Sequence, residues 1–161
     1  MNICYTLISI MSILEIIDTK KVEYDLGDTD ENIYNKCIKN LEGFCDNNGY
    51  VIPGSVKIIG RSYPVNIIGN GKMITYVKYE MKVGIINNGD EVDVQIKKNT
   101  KGVGSLASVI MDNAEIGTII LPDDIQEPGK RAGENDVVRV KILTSTFAYG
   151  WDTIRGVGKI I

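Results

Sequence analysis

The stretch from Lys72 to Ile96, KMITYVKYEMKVGIINNGDEVDVQI, constrains the chain more than any other. From Met73 to Val83 the odd positions are mostly apolar, whereas Lys72, Lys78, Glu80 and Lys82 share the other parity. That is the period of a strand, not of a helix. At Asn87-Asn88-Gly89-Asp90 the chain meets a polar turn whose Asn and Gly tolerate positive φ. Alternation then resumes with Val92, Val94 and Ile96 against Asp93 and Gln95. A run of this length is read as a spine that closes an N-terminal unit and opens a C-terminal one. The boundary is expected near Val83-Gly84, giving units of residues 1–82 and 83–161.

Before the spine the punctuation predicts an α+β unit. Ile13 to Ile17 reads as a first strand, and Val22 and Tyr24 as a short extended piece. Asp28 with Glu31 three residues on predicts a capping box at a helix start. Ile33, Tyr34, Cys37, Ile38 and Leu41 then recur at helical spacing up to Gly43, expected as the residue that ends the helix. From Phe44 onwards Asn, Gly and Pro clusters rule out further helix and leave Tyr50–Ile52, Val56–Ile59 and Val65–Ile68 as strands to pair with the spine. Cys37 falls on the apolar helical face, where a cysteine acts as a small hydrophobe.

Composition removes several function classes. Three cysteines (Cys4, Cys37, Cys45) without a C-x-x-C pair, and no histidine, give neither a disulfide framework nor a zinc site. Without histidine, catalysis would rest on carboxylates, Lys or Tyr. No concave set of convergent acids is recognisable, so a small carboxylate hydrolase is disfavoured and no cofactor is expected. A net charge of −3 argues against binding duplex nucleic acid by bulk charge. The apolar run Met1 to Ile17 lacks a preceding Lys or Arg and a cleavage site, and Ser9, Ser12 and Glu15 interrupt it. It reads as neither a signal peptide nor a membrane anchor, with Met11 as an alternative start.

After the spine the chain predicts no helix of useful length. Glu91–Lys97, Val103–Met111, Gly117–Leu121, Val137–Leu143 and Thr153–Ile160 are five strand candidates, the number in an OB-type barrel. The segment from Pro122 to Asp136 reads as a surface loop. Its Asp123, Asp124 and Glu127 lack a fourth convergent ligand for a metal.

Short motifs in this frame resemble a known family. Leu41-Glu42-Gly43-Phe44-Cys45 followed by Gly49-Tyr50-Val51 resembles the E-G-x-C…G-[FY] signature of the stalk subunit, seventh-subunit type, of multisubunit DNA-dependent RNA polymerases. Val77-Lys78-Tyr79 is similar to the V-x-Y that ends the family's first domain, and Gly89-Asp90-Glu91-Val92 to the G-E-V that opens its OB domain. Val138 to Ile142 and Gly158-Lys159-Ile160 resemble its last two strands. The likeness runs from about Ile13 to the end. It departs at Ile85-Ile86-Asn87-Asn88, where the family has R-P-F-K, and at Gly102-Val103-Gly104, where the family carries an aromatic.

The resemblance implies a truncated RNP-like domain, a helix on an antiparallel sheet, followed by an S1-like OB barrel. It implies a non-catalytic transcription subunit docked on the polymerase core, with the barrel near exiting RNA. Asp46, Asn47, Asn48, Gly49 and Tyr50 with Ile59, Gly60 and Arg61 would form the docking tip at one end of the sheet, or else ordinary hairpin turns. A fourth-subunit-type partner would pack where the domains meet, near Ile85 and Ile86, which are wet in a monomer unless buried internally. The expected location is the nucleus for a cellular protein, and the virion or cytoplasmic viral factory for one from a large DNA virus, which the Ile-, Asn- and Lys-rich composition suits. No membrane contact is expected.

OB barrels bind single strands with a basic groove and aromatic stacking faces. Lys97, Lys98 and Lys101 in the loop after the first barrel strand, Arg139 and Lys141 on an outward strand face, and Phe147, Tyr149 and Trp151 before the last strand are the candidates. Two readings stand side by side: weak contact with nascent single-stranded RNA, or a solvated lysine loop with Tyr149 and Trp151 plugging the barrel mouth. The rival function is a free-standing OB-type RNA-binding or translation factor.

Overall fold

A computed structural model of the chain describes residues 12–66 and 71–161. The elements run β1 (Ser12–Asp25), α1 (Asp30–Lys39), β2 (Tyr50–Val51), β3 (Lys57–Arg61), β4 (Val65–Asn66) and β5 (Lys72–Ile85), then β6 (Glu91–Thr100), β7 (Gly104–Met111), β8 (Ala114–Pro122), β9 (Val137–Thr146) and β10 (Ile154–Ile160). β5 is the expected spine. β1 lies antiparallel along one side of it, from Ser12 opposite Ile85 to Asp25 opposite Lys72. The other side is shared by β4, β3 and β2 in succession. The expected Val65–Ile68 strand is seen as Val65–Asn66, its last two residues lying outside the described ones.

Alternation decides which face of this sheet is dry. Val77, Tyr79, Met81 and Val83 of β5 and Val22 and Tyr24 of β1 are buried under Ile33, Cys37 and Leu41 of the helical segment. The two expected N-terminal extended pieces are one continuous strand, because β5 is long enough to pair every residue between them. The helix start also differs from the expected capping box. Thr29 is the N-cap, its Oγ1 accepting from Asn32 N at 3.2 Å, while the Asp28 carboxylate accepts from Asp25 N at 3.1 Å in the preceding turn. At the other end the helix stops at Lys39 with Asn40 as its cap, and Gly43 lies in the turn beyond, at φ +80°, donating to Val51 O.

The C-terminal half is a closed five-strand barrel in the order β10-β8-β7-β6-β9, with only β8 and β10 parallel. This is an OB-like arrangement. Inward Val92, Val94 and Ile96 of β6 meet Val140 and Ile142 of β9, Ala107 and Val109 of β7, and Ile116, Ile119 and Leu121 of β8, all buried. Two glycines let walls approach: a Cβ at Gly117 would fall 2.5 Å from Ile86 Cδ1, and one at Gly156 2.7 Å from Thr144 O. Ile86 is only 3% exposed and Ile85 is half-buried, so the wet apolar pair expected at the junction is instead packed inside the molecule.

Candidate nucleic-acid interface and domain junction

Strand directions give the barrel two ends. The proximal end, facing the N-terminal sheet, carries the β7–β8 turn at Asp112-Asn113 and the loop between β9 and β10. The distal end carries the β6–β7 turn and the segment from Asp123 to Asp136. The residues expected to form one RNA surface divide between them.

Lys97 and Lys98 belong to β6 itself and Lys101 to the turn after it, all exposed at the distal end. Lys97 Nζ donates to Gln95 Oε1 at 3.1 Å. Lys141 lies on β9 directly opposite Glu91 of β6 and Lys159 of β10, so an acid stands beside it. Arg139, next on the same outward face, is held by Asp93 at 3.3 Å and Glu91 at 3.9 Å. Val103 is 68% exposed in the distal turn.

The aromatics are proximal. Trp151 is half-buried against the barrel core with Phe147, and the Arg155 guanidinium sits 4.4 Å from its ring centroid. It is therefore part of the barrel mouth, with one face already occupied by a cation. Tyr149 is 67% exposed and, with Phe44, Lys39 and Asn40, lines a cavity of about 240 Å³ between helix end and barrel.

The two segments expected as docking turns are apart, and Ile59-Gly60-Arg61 is not a turn but part of strand β3, because β5 is long enough to pair it. Tyr50 pairs with Gly84 at the barrel end of β5, whereas Gly60 pairs with Lys78, about 20 Å away along a strand. The Asp46 turn is built into the junction. Asp46 Oδ1 accepts from Asn48 N at 2.7 Å and Gly49 N at 3.1 Å, while Cys45 exchanges backbone bonds with Trp151 O (2.7 Å) and Gly150 N (2.8 Å). Tyr50 is buried, and a Cβ at Gly49 would fall 2.6 Å from Gly84 O. Arg61 turns to the helix side, 2.7 Å from Asp30. The sheet end remote from the barrel instead exposes Leu26 (82%), Tyr63 (94%) and Val65 (58%). Sequence reasoning passed over Leu26 and Tyr63 because single apolar residues in polar turns carry no periodic signal.

Around Lys101 stands a group that otherwise escaped the sequence reading. Lys101, Lys130, Arg131, Asn99 and Gln126 line a cavity of about 250 Å³ at the distal end. Gln126 pins the loop there, donating to Pro122 O and Gly158 O at 3.1 and 3.2 Å and accepting from Ile160 N at 2.8 Å. Asp123 accepts from Gly102 N and Glu134 from Asn99 N. Glu127 holds Lys130 at 3.3 Å and Lys159 at 3.5 Å. These acids are thus engaged, and Lys98, Lys101 and Arg131 have no ion pair among the described residues. The adjacent Lys130-Arg131 was the available signal.

Comparison with protein-family models and with curated proteins finds no match.

Proposed function

We propose that the chain is a non-catalytic stalk subunit of a multisubunit DNA-dependent RNA polymerase, docking by its N-terminal unit and holding its OB-like barrel near exiting RNA. The supporting observation is the role of the signature-like residues in the junction. Glu42 Oε1 accepts from Val56 N at 3.3 Å, Gly43 adopts φ +80° beside the Tyr50 hydroxyl, and Gly49 fits against Gly84. The E-G and G-Y pairs thereby order the N-terminal unit around Cys45 and Tyr50, which meet the barrel through the Cys45 bonds to Gly150 and Trp151 and through its apolar core. On this reading the docking tip is the remote sheet end with Leu26 and Tyr63, and RNA meets the distal lysines weakly. Co-purification is the test: tagged chain expressed in its source cells brings down the large polymerase subunits, and Leu26→Ser with Tyr63→Ser reduces the yield. Recovery of no polymerase subunit sinks the proposal.

Lys98, Lys101 and Arg131, without an ion pair among the described residues, favour one second reading, a free-standing single-strand RNA-binding factor. Few phosphates, on the order of two to four, would be neutralised, so the salt slope would be shallow. Nanomolar RNA binding by the isolated chain, together with no polymerase in the pull-down, would select that alternative.

A further inference from the structure

The segment from Asp123 to Asp136 crosses the distal end of the barrel and is fixed on both sides of Lys130-Arg131. Before that pair, Gln126 bonds to Pro122 O, Gly158 O and Ile160 N. After it, Ala132 O accepts from Asn99 Nδ2 at 2.8 Å, and Asn99 Oδ1 accepts in turn from Ser105 Oγ. The segment is thereby tied to β6 and β10, and together with the β6–β7 turn it walls the cavity of about 250 Å³. Lys101 joins the lining from the turn, Lys130 and Arg131 join it from the segment, and Leu121 and Ile160 supply apolar surface.

The charges of this lining do not cancel. Asp123 is its one acid against the three cations Lys101, Lys130 and Arg131, and Asp123 Oδ2 accepts from the Gly102 amide at 3.1 Å. Two further acids stand close by, outside the lining. Glu127 is shared by Lys130 and Lys159, one carboxylate to two ammonium groups, and Glu134 accepts from Asn99 N. Strand register adds no acid here, since Lys98, Asn99 and Thr100 lie opposite Leu106, Ser105 and Gly104. Lys101 and Arg131 are exposed, and neither side chain has an ion pair or hydrogen bond among the described residues. An ammonium and a guanidinium therefore reach one cavity from two separate segments, with no anion bound to either. Three cations to one acid suit a phosphomonoester, which carries about −1.5 to −2 at neutral pH, better than a carboxylate or an internal phosphodiester of single charge. The volume lies below the roughly 300–1,000 Å³ of pockets for drug-sized ligands, so a chain end or a mononucleotide fits. We propose that the distal cavity is a site for a terminal phosphate, a phosphomonoester held by the Arg131 fork and the Lys101 point charge, with Lys130 beside them. The end of a single-stranded RNA is the source, and for that source alone the proposal rests on the RNA reading of the distal end; a free nucleoside monophosphate presents the same chemistry.

The test is an NMR titration of the full chain. Three short single-stranded RNAs of one sequence end in a 5′-phosphate, in a 3′-phosphate or in hydroxyls only, and uridine monophosphate and a short glutamate peptide complete the set. The Ala132 and Ile160 amides are expected to shift, and one of the two phosphorylated RNAs to bind roughly fivefold more tightly than the hydroxyl RNA, as one added charge-assisted contact at an exposed site implies. Lys101→Gln combined with Arg131→Gln removes that difference and leaves the thermal midpoint unchanged, because both side chains are exposed and unpaired among the described residues. Saturable binding of uridine monophosphate at these amides, with no binding of any RNA, would uphold the phosphate site and remove RNA as its source. Equal binding of all three RNAs would overturn the proposal while leaving the RNA reading intact. So would a glutamate peptide that binds as tightly as the phosphorylated RNA, or a phosphate preference that survives the double substitution. Binding of none of the ligands would overturn the site and the RNA reading together.

Discussion

The two ends of the barrel are closed by different chemistry. At the proximal end backbone and aliphatic contacts predominate, with Cys45 bonded to Gly150 and Trp151, Gly49 against Gly84 and Ile86 on Gly117, and Ser145 adds polar bonds to Ile86 O and Asn88 Oδ1. At the distal end the closure is made by polar side chains, with Gln126, Asn99, Asp123 and Glu134 bonded to loop and strand backbone. Side-chain bonds at a surface exchange with water at small net cost, whereas close-packed backbone cannot shift without parting two layers. The distal end can therefore adjust to a ligand locally. The proximal end is expected to resist such adjustment, because its close-packed contacts join the sheet to the barrel.

The sharpest way to break this contrast is a single methyl group. At Gly49 it would lie 2.6 Å from Gly84 O and 2.8 Å from Val83 Cγ1, at φ +149°. Gly49→Ala is expected to cost about 3 kcal/mol from overpacking and strain, lowering the urea midpoint. Gly102→Ala at the distal turn has φ +78° but meets nothing within 4 Å, and is expected to cost about 1 kcal/mol for conformation alone. Equal losses would show that the junction yields as readily as the loop.

Alkali probes the proximal end next. Burial, then the carboxylates of Asp46 and Asp152, push the Cys45 thiol from 9.0 up to about 11. A raised folded value means that the unfolded chain releases this proton first, so stability is constant below pH 9 and falls as the pH climbs towards 11. Each pH unit in that window removes about 1.4 kcal/mol. Buried Cys37, Tyr50 and Tyr79, also raised chiefly by burial, add to the loss in the same direction. Urea unfolding at increasing pH measures it, and Cys45→Ala, compared with its own neutral value, should show a shallower fall. An unchanged slope would mean that Cys45 is not sealed by the junction.

At the distal end Gln126→Ala removes three half-buried backbone bonds, and about 1–2 kcal/mol is expected. The loss should be local, read as faster exchange of the Ile160 amide with little change at Cys45. Global unfolding instead would make the two ends one cooperative unit.

These contrasts were unevenly legible in the sequence. Period-two alternation in Met73–Val83 and Val92–Ile96 exposed the spine and the start of the barrel, because each strand has one dry face. The helix was legible from Ile33, Cys37 and Leu41, though its cap was not: Asp28 and Thr29 are adjacent N-cap residue types, and tertiary placement of the β1 end selects between them. The candidate site was less legible. Spacing placed the lysines and aromatics on barrel loops but could not show that Lys97 and Tyr149 belong to opposite ends, which depends on strand register. It also could not show that the Asp46 segment is a turn whereas Gly60 lies in strand β3, since both look like hairpin turns until each is placed along β5. Ile85 and Ile86 misled for a related reason. Beside an Asn-Gly turn they look wet, and only the bare Gly117 opposite Ile86 makes room for burial.

The smallest expected effect divides the distal closure into its neutral and charged parts. Glu127 is exposed, and its carboxylate is held below the usual value first by its hydrogen bond to Lys130 and then by the charges of Lys130 and Lys159. Because the folded chain favours the ionised form, the contribution is fully present above the ordinary pH of 4.5 and disappears as the pH falls through the depressed value. Screening by water and salt keeps it small. Glu127→Gln should therefore lower the thermal midpoint slightly at neutral pH and low salt, and not at all in strong acid or at high salt. The Gln126→Ala loss rests on neutral bonds and should persist through both conditions. If the Glu127→Gln difference survives acid, the loop is held at that point by shape, and if Gln126→Ala loses its effect in acid, the neutral pins depend on the ion pairs beside them.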